Sequence, residues 1–389
     1  MAGINLSDQS IAQCCRTDWL PYDLTESKKD IISIFNAEHL KQDRELMLNG
    51  TVPKSCTNCV EYEKNGIEIQ NYLLASRENI VHTTTQKQTL PPRLDFVLHN
   101  FCNLTCVYCG PIFSSSWTKE INDNGTYKSD NVKKTIKIKD LVKNKIPLTE
   151  YKKSTSFQIL DKLAKHKDFN QVKKITLLGG EPLVNPYLID VCKTILENNP
   201  TVELWITTGL GVPDKTLFNK IEQLKEIDKN NQIGMNVSVE TTGKIFEFIR
   251  YGITWEDFDR RFRYLIDQFG KDRISIMTVL FVLGMMDYKN FLEYLNSLGL
   301  DSKDCQFGYL EDPMYLSLLS FDQNIVKERI NDLLATDLLN ESTRKTLENT
   351  LTQQKANTKL NQQFVEYIQE FSQRRNLDLT IFPKELLEL

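Results

Sequence analysis

The sequence predicts an α/β fold, a partial TIM-like (β/α)6 barrel preceded by a cysteine-rich N-terminal module and followed by a mainly helical C-terminal cap. Three observations predict it. From Arg93 onward, six short apolar runs alternate with helical patterns, the signature of repeated strand and helix units around a parallel sheet. Several of these runs are apolar on both faces, as strands covered on both sides must be. Beyond Pro313 the periodicity becomes mainly helical.

The six runs are Arg93 to Leu98, Lys174 to Leu178, Val202 to Ile206, Ile233 to Val239, Ile274 to Val282 and Cys305 to Leu310. Between them, Leu188, Val191, Cys192, Ile195 and Leu196 recur at helical spacing after the turn at Asn185-Pro186. Pro213 opens a second helix, because a proline is tolerated where the first turn has no hydrogen bond to lose. Tyr288 to Leu298 forms a third. In the cap, Leu360, Phe364, Ile368 and Phe371 lie on one helix face, expected to pack on the barrel, and alternating Leu377, Leu379 and Ile381 follow. The expected boundaries are 1–90 for the N-terminal module, 91–312 for the barrel and 313–389 for the cap. Within the barrel, residues 128–153 carry nine lysines against Asp130, Asp140 and Glu150, and they read as an inserted, solvated surface.

Bulk properties narrow the function. With 389 residues, the chain can bury at least one large core. A net charge of -4 gives no global reason to expect a nucleic-acid partner. No apolar run approaches the roughly 20 residues needed to span a bilayer, and the first residues lack the charged and apolar regions of a signal peptide. A cytoplasmic protein with no membrane partner is the expectation.

The nine cysteines are an odd number without a secretion signal, so metal or redox chemistry explains them better than a disulfide framework. Cys14, Cys15, Cys56 and Cys59 come early, and Cys102, Cys106 and Cys109 form a triplet. Cys192 and Cys305 stand alone and are expected in the core. The triplet directly follows the first predicted strand, in a loop at its C-terminal end, where barrel chemistry happens. Three thiolates can converge there on one centre with no fourth cysteine nearby, which leaves a coordination position open. Structural zinc prefers four ligands, and His99 points away if it alternates with Leu98, so an iron–sulfur cube with one unligated iron suits the loop better.

The run Cys102-Asn-Leu-Thr-Cys106-Val-Tyr108-Cys109 resembles the signature of the radical S-adenosylmethionine (SAM) superfamily, including the aromatic residue before the last cysteine. The resemblance implies a [4Fe-4S] cluster on the three thiolates, SAM chelated to the fourth iron, and Tyr108 near the adenine. Leu178-Gly179-Gly180-Glu181-Pro182 is similar to the family's GGEP motif, which receives the methionine amino group. Thr207-Thr208-Gly209 after the third strand, and Ser238 and Glu240 after the fourth, resemble its polar contacts to the methionyl and ribose parts of SAM. Arg250 is similar to an arginine that contacts the SAM carboxylate in related enzymes, with a surface ion pair as its alternative role. All four motifs fall at successive strand ends.

What the family does then defines the expected activity, an oxidoreductase or carbon-modifying enzyme. An electron from a flavodoxin or ferredoxin would cleave SAM to a 5′-deoxyadenosyl radical, which takes hydrogen from a substrate carbon. The segment Val52 to Glu63 resembles the auxiliary-cluster segment of twitch-domain proteins, a group related to SPASM proteins. By that likeness Cys14, Cys15, Cys56 and Cys59 would hold an auxiliary iron–sulfur cluster, although their spacing alone would equally suit zinc. Enzymes of this group commonly modify peptide side chains, so a peptide or protein is the expected substrate, with a sugar or nucleotide as the alternative. From a different class, a zinc protein whose basic insert docks nucleic acid would also use both cysteine groups.

Overall fold

A computed structural model describes residues 2–5, 10–12, 20–21, 35, 38–64, 90–129, 155–321, 324–353 and 357–388. The lysine-rich insertion beyond Ser129 and the pair Cys14 and Cys15 lie outside them. Nine strands form one sheet: β1 (Ala2–Asn5), β2 (Ser10–Ala12), β3 (Leu20–Pro21), β4 (Arg93–Val97), β5 (Lys174–Leu178), β6 (Glu203–Thr208), β7 (Ile233–Ser238), β8 (Ile274–Leu280) and β9 (Gln306–Tyr309). Their order is β3-β2-β1-β4-β5-β6-β7-β8-β9. Strands β4 to β9 are the six predicted from the sequence, all parallel, and they curl into a half-barrel. The run predicted to reach Val282 ends its strand at Leu280, and Val282 starts a short helix.

Register explains the curl's two different faces. Successive side chains of a strand point to opposite sides, and paired residues of neighbouring strands share a side. Leu94, Ile175, Leu204 and Ile233 form one paired row, and Phe96, Leu177, Ile206 and Met235 the next. All eight are fully buried. They meet helices such as Leu188–Asn198, which contributes Leu188, Val191, Cys192, Ile195 and Leu196 to the same core. Each such aliphatic side chain contributes about 1.5–3 kcal/mol by leaving water. The other face carries Thr207, Asn236 and Ser275 in one row, and Ser238, Met277 and Gln306 in the next. This concave wall is polar and mostly half-buried.

The predicted helices occur as Leu188–Asn198, Asp214–Ile227 and Tyr288–Ser297, with Pro213 at the N-cap of the second. The cap helix Thr358–Arg375 buries Phe364, Tyr367, Ile368 and Phe371. Leu377, Leu379 and Ile381 do not form a strand, since Leu379–Ile381 is a 3-10 turn begun by Asp378, whose carboxylate accepts from the Thr380 amide. The sheet also extends past the barrel, because β1 pairs in parallel with β4 and carries the antiparallel strands β2 and β3. Among the described residues, no helix is long and apolar enough to cross a membrane.

Candidate functional site

The loop holding the three cysteines leaves β4 and is fastened at several of its carbonyls. Ser114 caps the helix Ser115–Asn124 and donates to the Leu104 carbonyl at 2.7 Å. Ser115 and Ser116 donate to the Cys102 carbonyl, and the Trp117 indole donates to that of Cys106 at 3.0 Å. The loop thus keeps its shape without secondary structure, because a buried carbonyl must find a donor somewhere. On its other side, the Thr105 amide donates to the Tyr251 carbonyl at 2.9 Å and that of Val107 to Ile249 at 2.8 Å. Cys106 and Arg250, the residues between, stand opposite each other.

Neither Ser114 to Trp117 nor the Ile249 to Tyr251 pairing figures in the motif reading. The serine run just before a helical pattern is the one signal that could have found the first, as an N-cap.

Cys106 is buried, while Cys102 and Cys109 are half-buried, and none of the three is in a disulfide. Burial pushes the Cys102 thiol up to about 12, aided by the Glu181 carboxylate, and that of Cys109 to about 11. Each thiolate would therefore need a positive centre to form here. Apart from the Leu104 amide on the Cys102 sulfur at 3.4 Å and a Cys109 contact to the Gly110 carbonyl, no hydrogen bonds occupy these thiols among the described residues. No group of three or more His, Cys, Asp or Glu side chains among those residues is placed to hold a single metal ion. An iron–sulfur cube takes each thiolate on a different iron, so its ligands need not meet at one point, and three available thiols on one braced loop suit it.

His99 is no ligand candidate. Burial lowers its pKa to about 4, so the ring is neutral, and its Nδ1 accepts from the Phe101 amide at 2.9 Å, which puts the ring hydrogen on Nε2 and leaves neither nitrogen a free lone pair.

The GGEP segment follows β5 and lies against the start of the cysteine loop. The Gly180 amide donates to the His99 carbonyl at 2.9 Å and that of Glu181 to Phe101 at 2.7 Å. A Cβ on Gly180 would lie 2.5–2.8 Å from three carbonyl oxygens, those of Phe101, Phe113 and Asn100. Only glycine allows this approach. Glu181 is fully buried, with Oε2 accepting from the Thr208 hydroxyl (3.0 Å) and the Gly209 amide (2.9 Å), and Oε1 from the Leu183 amide (3.2 Å). Burial raises its pKa to about 7 in spite of these donors. Pro182, also buried, starts the turn that follows.

A second buried network joins the ends of β4 and β7. Glu240 accepts from the Tyr108 hydroxyl at 2.6 Å and, at both oxygens, from Arg250 at 2.8 and 2.5 Å. Arg250 also donates to the Tyr108 oxygen at 2.7 Å. Arg250 and Glu240 are 4 % and 0 % exposed, which overturns the surface ion pair expected as the alternative for this arginine. The two networks adjoin at Gly209, where a Cβ would lie 3.2 Å from Arg250 Nη1 and 3.9 Å from Glu181 Oε2. Thr207 accepts from Asn236 at 3.4 Å on the concave wall, and Ser238 ends β7 there, half-buried.

Cys56 ends a 3-10 turn, Lys54–Cys56, and Cys59 is buried in the adjoining helix Thr57–Lys64. Three residues apart on successive turns, they share a face. Cys192 and Cys305 are buried in the core, as expected.

Comparison with known proteins bears on these arrangements. The family model described as the radical SAM superfamily matches residues 96–295. Among solved structures, Streptococcus suis SuiB bound to S-adenosylmethionine is similar at 13 % identity and TM-score 0.37, with 86 % of this chain and 69 % of that one covered. SuiB bound to its precursor peptide SuiA is similar at 12 % identity and TM-score 0.37, covering 97 % and 69 %. BtrN in complex with AdoMet and 2-DOIA is similar at 14 % identity and TM-score 0.29, covering 69 % and 89 %. No curated protein matches in sequence.

Proposed function

The chain belongs to the radical SAM superfamily, and on that premise we propose that it reductively cleaves SAM and uses the radical to take hydrogen from a carbon of a peptide or protein side chain. The observation that carries this reading is the gathering, at the C-terminal ends of four neighbouring strands, of the cysteine loop, Gly179 to Pro182, Thr207 to Gly209, and Glu240 with Arg250. Cys102, Cys106 and Cys109 would hold a [4Fe-4S] cluster, which would supply the low-potential electron for reductive cleavage of SAM.

The protein's own groups do the rest. Glu181 places a buried carboxyl beside the amino group of SAM, while the Gly179-Gly180 backbone leaves room for the methionyl chain. Arg250, held by Glu240 and Tyr108, offers its charge towards the SAM carboxylate, and Thr207 and Ser238 offer hydroxyls to the ribose. Thr208 acts on SAM only through Glu181. A flavodoxin or ferredoxin is the proposed electron donor. Residues 1–90, with Cys14, Cys15, Cys56 and Cys59, are the proposed auxiliary-cluster module, and 313–389 the cap.

The wall beside this site supports a neutral substrate group. Asn236 donates to Thr207 at 3.4 Å and Ser238 ends β7, with Met277 paired to Ser238, so an amide, two hydroxyls and a thioether stand beside these strand ends. The charged pair of Arg93, which opens β4, and Asp95 at its middle lies away from the end of that strand. Amide and hydroxyl side chains of this kind suit the amides of a peptide and carry no cation for the phosphate of a nucleotide. Reduced, reconstituted protein should transfer deuterium into 5′-deoxyadenosine from a perdeuterated peptide pool. Transfer only from a perdeuterated sugar pool would reject the peptide reading.

Glu181 adds a pH dependence. Because its carboxyl titrates near 7, binding the SAM cation below that pH must expel a proton, and affinity then falls by up to about tenfold per pH unit. SAM affinity is expected to rise with pH and level off above about 7. Glu181→Gln should bind more weakly and show a flat profile in equilibrium titrations. A slope that persists in the variant would assign the dependence to another group.

A further inference from the structure

The last turn of the cap helix Thr358–Arg375 reaches the back of the cysteine loop. Arg375 is a nearly buried cation, its side chain 4 % exposed, and it ion-pairs with Glu120. Its Nε donates to the Thr105 hydroxyl at 3.3 Å and its Nη1 to the Tyr127 hydroxyl at 2.7 Å. Its guanidinium carbon lies 3.7, 5.0 and 5.3 Å from the ring centres of Phe371, Trp117 and Tyr251. Two turns earlier, the Tyr367 hydroxyl donates to the Val107 carbonyl at 2.5 Å.

These contacts fall on one feature. Thr105 and Tyr251 are joined by a backbone hydrogen bond, as are Val107 and Ile249, and between these bonds Cys106 faces Arg250. Arg375 touches the hydroxyl of Thr105 and the ring of Tyr251, and so grips both sides of the ladder at one end. Tyr367 holds the other end at Val107. A cation stacked among three rings and tied to a carboxylate loses few rotamers on holding this position, which suits a fixed brace.

We propose that Arg375, with Tyr367, is a positioning residue for the SAM site: it fixes the register of the cysteine loop against the Arg250 segment from outside, without touching cluster or SAM. This rests on the proposed function for the identity of the ligands. It assigns the cap a part in the site that no motif marks, since the cap would set the placement of Arg250 relative to Cys106.

The test uses the full chain, anaerobically reconstituted, with SAM titration and the electron paramagnetic resonance spectrum of the reduced cluster with and without SAM. Arg375→Met should retain iron and sulfide but bind SAM about 10–100-fold more weakly, with an altered SAM-induced spectrum, as loss of an outer support typically does. Arg375→Lys keeps the charge without the planar fork and should fall between. Tyr367→Phe removes one hydroxyl and keeps the ring packing, so it decides the matter if Arg375→Met does not fold. Its expected effect is also a weaker SAM affinity and a changed spectrum. If the folded variants lower the melting temperature yet match the parent in affinity and spectrum, Arg375 and Tyr367 are stability residues and the proposal is overturned. A parent whose cluster spectrum does not respond to SAM would overturn the functional reading itself, and this proposal with it.

Discussion

Arg250→Met is expected to destabilise the protein by about 3–5 kcal/mol, the usual consequence of leaving one member of a buried ion pair alone. Glu240 is fully buried, and Arg250 meets both of its oxygens. Burial works against the arginine's charge, yet its pKa lies well above the ordinary value, with the Glu240 carboxylate the foremost of the groups that raise it, so Arg250 stays protonated. Methionine nearly matches the length of the side chain and supplies no donor, so Glu240 must either stay charged in an apolar site or take up a proton. Glu240→Gln combined with Arg250→Met removes the stranded charge and should cost clearly less than the sum of the two single changes. Denaturant unfolding of the metal-free protein measures all three variants. Additive losses would mean that the pair is not coupled in solution.

Cys106→Ala is expected to abolish the chemistry. Cys106 is the most buried of the three loop thiols and stands opposite Arg250. Burial, the largest influence on it, holds the free thiol well above its ordinary range, so without a metal it stays protonated. Its loss leaves two ligands, and the neighbouring His99 is a poor substitute, since Nδ1 accepts from Phe101 and Nε2 therefore carries the ring hydrogen. Reconstituted Cys106→Ala should carry markedly less iron and sulfide and form no 5′-deoxyadenosine. Cys192→Ala is the matched control. That thiol is even more deeply buried, but it packs in the core and has no part in the site, so the cluster should survive the change.

What the sequence reveals of this molecule follows from how each feature is encoded. The six barrel strands are legible because both faces of a covered strand must be apolar and the helices between them need a different spacing. Most motif residues are legible because they fall at or soon after the ends of those strands, Thr207, Thr208 and Ser238 being their last residues, whereas Arg250 follows the helix Gly243–Ile249. The strand Ala2–Asn5 was not legible, since its four residues carry no periodic signal and its place comes from backbone pairing with β4. Leu377, Leu379 and Ile381 alternate as a strand would, yet the Asp378 side chain favours a turn. Arg250 looked equally suited to the surface, because its partner Glu240 is fixed by the fold and not by any spacing. Tyr367 and Arg375 are less legible still. They act on the cysteine loop across some 260 residues of chain through single hydrogen bonds, a distance that no local pattern spans.

The measurement that bears most directly on the central claim is 5′-deoxyadenosine formation by protein reconstituted anaerobically with iron and sulfide, then given SAM and dithionite, with Cys106→Ala alongside. The account predicts 5′-deoxyadenosine from the parent and none from the variant. A parent with a fully assembled cluster that leaves SAM intact, or equal product from both proteins, would contradict it.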